Sequence, residues 1–214
     1  EKENRMERSI ILSKEEVKWI LCGTKTSIRR LIPEQPLSRL CYTFAGAENG
    51  TWGYPSETAW NYWGDDYRLP KNITKKEISK RWSPVACVDD ILYVREPWYN
   101  GGSRYMYRAD YSANEVFYKN GKQVTIKWRP ASVMPKDAAR IRLKVKNVSV
   151  ERLQDITSDG IRSEGLTSMC TMLGDTEIAR AEYKLFWDST PAAKKYSCPF
   201  DKNPFVWVIE FEKM

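Results

Sequence analysis

Residues 23–32 read GTKTSIRRLI, and the fold turns on how this stretch is taken. Strand alternation puts Lys25, Ser27 and Arg29 on one face and Thr26, Ile28 and Arg30 on the other. Such a strand presents polar groups to a cleft while anchoring itself in a core. Just upstream, Ser13 opens S-K-E-E, a capping box in which Ser13 caps a helix and Glu16 reaches back to it. Val17, Ile20 and Leu21 give that helix an apolar stripe, and Gly23 supplies the left-handed residue that ends it. Lys25, just past the helix C-terminus, reads either as a surface charge complementing the helix dipole or as a functional cation.

Downstream, a long irregular stretch at 33–83 is dense in aromatics, Gly and Pro. It is taken as an insertion that folds back on the domain through a short hairpin, with a turn or two of helix at 74–81. Trp52, Trp60 and Trp63 either pin this insertion down or form a stacking wall for a nucleobase. ILYVRE at 91–96 alternates as a strand, with 104–108 expected as its hairpin partner. Asn120-Gly121 marks a second hairpin, of 115–118 with 123–127. WRPASVMP at 128–135 is too Pro-rich to be regular.

The longest strand pattern covers 140–153, with a break of parity near Asn147 that signals a bulge. Its cations at 140, 142, 144 and 146 share a face, read either as a solvated outer surface or as a phosphate track. A short helix at 157–164 is entered through Thr157 or Ser158 and ended by Gly165. A second helix at 175–188 carries Ile178, Ala181, Leu185 and Phe186 at core spacing, and FVWVIEF at 205–211 reads as a central strand. Residues 1–5, four of them charged, precede Met6 and are taken as a tag remnant or a disordered terminus. A single domain is expected over 6–214, with its insertion at about 33–83.

The chain has 214 residues, 42% of them hydrophobic, with a formal net charge of +7 and a pI near 9.1, which favours an anionic partner. It contains no histidine, so His-based triads, His general bases and His-containing zinc sites are excluded. Five cysteines stand without a CxxC pair, giving no support to a Cys-only metal site; no metal or cofactor is expected. With no apolar leader and no run of about 20 apolar residues, the expectation is a cytoplasmic protein without a membrane span, in the host cytoplasm if phage-encoded.

Several of these motifs, in this order, carry a family resemblance. MERSIILS and the helix after it, GTKTSIRRLI, DDILYVREPW, YRAD, WRPASVMP, ARIRLKVKNVSVERLQDIT, EG, LFWDS and NPFVWVIEF resemble an ASCH domain of the PUA-like superfamily, in the longer form common in phages and prophages. The resemblance spans most of the chain from Met6 and is weakest over 33–83. It implies an α+β fold, a small PUA-like β-barrel of about five to seven mostly antiparallel strands flanked by helices. It also implies a cleft beside the GxKT strand and RNA, another nucleic acid or a pyrimidine nucleoside as ligand.

Some short bacterial members hydrolyse the amide of acetylated cytidine with a Lys, a Thr and a Glu. Carried over, the Lys falls on Lys25, the Glu on Glu164 and the nucleophile on Ile28, which has no group to attack an acyl carbon. Asp89 stands where the family has Gly, a position of positive φ that Asp tolerates. The leading expectation is a nucleic-acid-binding module whose cleft is lined by Lys25, Thr26, Arg29, Arg30, Arg95, Trp98, Arg108, Trp128 and Glu164. One alternative is a metal-independent hydrolase, an N-acylcytidine amidohydrolase or a ribonuclease, using Lys25 and Glu164 as acid and base. Another is a phage protein that binds and modulates a host protein.

Overall fold

A computed structural model of the chain describes residues 6–35, 41–43, 51–53, 84–102, 104–112, 115–119, 121–167 and 176–214. Its strands are β1 (Glu7–Ile11), β2 (Ser27–Leu31), β3 (Cys41–Thr43), β4 (Thr51–Gly53), β5 (Ile91–Arg95), β6 (Trp98–Asn100), β7 (Tyr105–Tyr107), β8 (Phe117–Lys119), β9 (Lys122–Val124), β10 (Arg142–Arg152) and β11 (Phe205–Lys213). Its helices are α1 (Lys14–Leu21), α2 (Ser158–Ser163), α3 (Thr176–Ser189) and α4 (Pro191–Lys195). The class is α+β, as the sequence predicts. No helix among the described residues is long and apolar enough to cross a membrane.

One sheet organises the chain, in the order β1-β5-β10-β11-β2, with three two-stranded ribbons beside it. β1 runs parallel to β5, and the other neighbours are antiparallel. The end strands β1 and β2 share no backbone pairing among the described residues. Instead the Arg30 guanidinium donates to the Ile11 carbonyl at 2.9 Å across the gap.

β11 explains the sheet's energetics. Phe205, Trp207, Ile209 and Phe211 join one apolar cluster with Ile10, Val17, Ile20, Ile28, Leu92 and Leu143. The alternate residues Val206 and Val208 join a second cluster with Leu31, Ile161, Ala179, Tyr183 and Trp187. Covered on both faces, this central strand reads as a near-continuous apolar run. β2 obeys the same parity, with Ile28 toward the first cluster and Leu31 toward the second.

The capping box forms: the Ser13 side chain accepts from the Glu16 amide, and Glu16 accepts from the Ser13 amide at 2.9 Å. β10 shifts register between Val145 and Asn147, which is the parity break read from sequence. Asp89 sits at φ 68° and donates its N–H to the Val145 carbonyl, holding the left-handed conformation expected there.

Two expectations change. Residues 105–107 pair with β6, not with 91–96, because β5 already has β1 on one side and β10 on the other. The buried face of α3 is Ala179, Tyr183 and Trp187, one step round from the predicted stripe. Ile178 is 46% and Leu185 74% exposed, since the larger rings at i and i+4 take the core side. Of the insertion, β3 and β4 form a hairpin that pairs Tyr42 with Trp52. Trp60, Trp63, the helix expected at 74–81 and residues 1–5 lie outside the described residues.

Candidate functional site

The site begins where a six-residue helix ends. α2 is capped by Thr157, whose side chain accepts from the Gly160 amide, and Glu164 is its C-terminal cap. A helix leaves its last carbonyls without intrahelical partners, and cations are favoured there. The segment from Lys25 that leads into β2 supplies both needs. The Thr26 amide donates to the Ser163 carbonyl at 2.8 Å, and Lys25 Nζ donates to the Glu164 carbonyl at 2.9 Å. Gly165 then turns away at φ 98°.

Lys25, Ser27 and Arg29, on the face predicted for them, run along this helix end. Lys25 Nζ lies 2.6 Å from Glu164 Oε2 and 3.9 Å from Glu16 Oε1. Arg29 Nη1 lies 3.2 Å from Glu164 Oε1, and its Nε lies 2.6 Å from Glu151 Oε1. Ser163 Oγ donates to the Gly160 carbonyl, so the 2.9 Å contact with Ser27 is a bond donated by Ser27 Oγ. Lys25 is 2% and Glu164 1% exposed. Burial disfavours the Arg29 charge, but Glu164, then Tyr183 and Glu151, outweigh it and raise its pKa.

This cluster lies at the edge of a cleft of about 780 Å³ between β2, α1, α3 and α4. Glu15, Glu16, Arg29, Arg30 and Glu164 supply its charged lining, and Trp19, Tyr183, Phe186 and Trp187 its aromatic wall. The Trp19 and Phe186 rings stand 5.7 Å apart, and Lys25 Nζ is 5.9 Å from the Phe186 centroid. The Tyr183 hydroxyl is fully buried and has no hydrogen-bond partner among the described residues. Burial first, then Glu164, raises its pKa well above the ordinary phenol value, so it is an O–H donor throughout the physiological range. Buried hydroxyls normally have partners, and this one is a donor that a ligand acceptor can match.

The serine and threonine hydroxyls on the cleft lining are engaged. Ser13 accepts the Glu16 amide, while Ser189 and Thr190 donate to the carbonyls of Phe186 and Trp187. Ile28 is in the core at 1% exposure. Thr26 is exposed and lines a different cavity of about 510 Å³, together with Ser27, Ser149, Glu151 and Ser163. Its backbone is held on both sides, by the Ser163 carbonyl and by the Phe211 amide.

The structure therefore brings Lys25, Arg29 and Glu164 into contact and sets Arg30 on the same cleft. The remaining predicted residues lie off its lining. Arg95 donates to the Met134 carbonyl. Trp98 is 3% exposed and packed with Met134 and Ala138. Arg108 stands over the Trp128 ring at 5.6 Å, in a separate aromatic group. Sequence reasoning missed Glu16 and Tyr183 as site residues. Glu16 carried a signal, since a capping-box glutamate at the start of the strand's own helix is held close to that strand. Tyr183 carried none, because the α3 stripe was read on the wrong face.

The basic row at 140–146 is neutralised throughout: Arg140 by Glu96 and Asp110, Arg142 by Glu7, Lys144 by Asp89 and Lys146 by Glu212. A row of paired charges makes a poor phosphate track. No family model, curated protein or solved structure matches this chain.

Proposed function

We propose that this protein is a base-recognition module of the ASCH type, in which the cleft beside β2 takes an unpaired pyrimidine base of RNA or another nucleic acid. In this reading the five-stranded sheet is the body of a small PUA-like barrel, and the Arg30 bond to Ile11 spans the seam between its end strands. The observation that carries the proposal is the buried hydroxyl of Tyr183, without a hydrogen-bond partner among the described residues, in a cleft walled by aromatic rings.

A pyrimidine fits the chemistry. The rings of Trp19 and Phe186 offer faces for stacking. The Tyr183 hydroxyl donates to a ring carbonyl. Glu164 keeps a lone pair on each carboxylate oxygen after binding Lys25 and Arg29, enough to accept from an exocyclic amine as carboxylates do with cytosine. Lys25 uses two of its three N–H donors on Glu164 and, with Glu16 Oε1 at 3.9 Å, holds the Glu164 carboxylate in place from behind the cleft wall. With the lining serines and threonines engaged elsewhere, recognition is favoured over acyl transfer.

Titration calorimetry with cytidine tests this. Binding is expected, and Tyr183→Phe is expected to weaken it roughly 2- to 12-fold, the worth of one neutral hydrogen bond. Equal affinity in wild type and Tyr183→Phe, or no binding at all, defeats the proposal. Turnover of N-acetylcytidine by the wild type, lost in Glu164→Gln, shifts the reading to the hydrolase.

A further inference from the structure

Lys14, at the start of α1, donates from Nζ to the Tyr111 carbonyl at 2.8 Å. Arg108 donates from Nη1 to the same oxygen at 3.0 Å and to the Ser112 carbonyl at 2.9 Å. Two cations are thus held within two hydrogen-bond lengths of each other around one neutral acceptor. No carboxylate forms an ion pair with either of them among the described residues. Lys14 also carries the mark of crowding: partial burial first, then the charges of Arg108 and Lys18, lowers its pKa. The row at 140–146 is the opposite case, with an acid for each of its four cations.

Beside the cations sit three half-exposed rings. Tyr111 lies 5.1 Å from Phe117 and 5.6 Å from Trp128, and the Arg108 guanidinium stands over Trp128. The β8-β9 hairpin that bears Phe117 also carries Tyr118 at 69% exposure and an exposed Lys122. Unpaired cations interleaved with accessible rings form the combination that tracks a single strand, phosphate on charge and base on ring.

The position fits the cleft. Lys14 is flanked by Ser13 and Glu15, and Arg108 hangs by its amide from the Pro97 carbonyl at 2.8 Å. Ser13, Glu15 and Pro97 all line the cleft. We infer that Lys14 and Arg108, with the Tyr111, Phe117 and Trp128 rings, bind a backbone phosphate and a neighbouring base of a single-stranded nucleic acid whose adjacent base occupies the cleft. This rests on the base-recognition reading and extends its ligand from a nucleoside to a strand.

The test measures fluorescence anisotropy of labelled 12-nucleotide oligo(C) RNA and DNA against salt, alongside calorimetry with free cytidine. The double variant Lys14→Gln/Arg108→Gln is expected to flatten the slope of log Kobs against log salt by about 0.7, the contribution of one phosphate no longer neutralised, with cytidine affinity unchanged. Lys14→Glu alone, which leaves the Arg108 loop bonds in place, is expected to flatten it too. The ion-paired control Lys144→Gln/Lys146→Gln is expected to keep the wild-type slope. A wild-type slope in both site variants, or oligonucleotide affinity no better than cytidine, overturns this inference and leaves the cleft reading intact. Oligonucleotide binding that depends on Lys14, with no cytidine binding, overturns the cleft reading instead.

Discussion

Glu164 answers two cations with one carboxylate, Lys25 on one oxygen and Arg29 on the other. Desolvating three charges gains little net stability, but removing one partner strands the rest. Glu164→Gln is therefore expected to destabilise the fold by about 3–5 kcal/mol, measured by urea unfolding. Lys25→Met alone leaves Glu164 paired with Arg29. If the cluster acts as a unit, the double variant Lys25→Met/Glu164→Gln costs less than the two single substitutions summed, by about 1 kcal/mol or more. Simple additivity would show that the three groups are energetically independent.

At the scale of elements, the site depends on how α2 stops. Gly165 holds φ 98°, and a Cβ there would come within 2.8 Å of three Trp19 side-chain atoms, closer than real contacts allow. Helix α1 and the exit from α2 thus meet through a missing side chain, and Trp19 is placed on the cleft wall by that meeting. Gly165→Ala is expected to cost about 2–5 kcal/mol from left-handed strain and overpacking combined, and to shift Trp19 emission as its ring is displaced. Unchanged stability and emission would show that the turn repacks freely. Gly160 plays a related part on the other side of α2, since a Cβ there would meet Arg29 Nη2 and Ile156 Cγ1 at 3.0 Å.

Across the whole molecule, how the charges pair matters more than the net charge of +7. The row at 140–146 is paired with carboxylates, while Lys14 and Arg108 bond only backbone carbonyls among the described residues. Stability against pH is also a property of the whole fold. The buried Tyr183 hydroxyl has a folded pKa well above its ordinary value of 10.0. Above that ordinary value the unfolded chain loses the proton and the folded chain keeps it, so stability falls as pH rises. Chemical denaturation between about pH 9 and 11, spanning the ordinary phenol value, is expected to show a decline that Tyr183→Phe reduces. An identical decline in the variant would place the alkaline sensitivity elsewhere.

The sequence by itself determined the elements whose signals are local. Ser13 and Glu16 define a helix start by side-chain reach over three residues, Gly23 and Gly165 define helix ends by φ, and alternation in β2, β10 and β11 follows from the two-residue strand period. The Asn147 irregularity is legible for the same reason, whereas the positive φ of Asp89 follows from the family resemblance. The pairing of Lys25 with Glu164 followed from resemblance, not spacing, because 139 residues separate them. Only the tertiary structure decided which face of α3 is buried, which strand β7 joins, and that Trp98 belongs to the core while Tyr183 faces the cleft. Those outcomes rest on competition between distant surfaces for burial, and a periodic pattern says which residues share a face without saying what that face will meet.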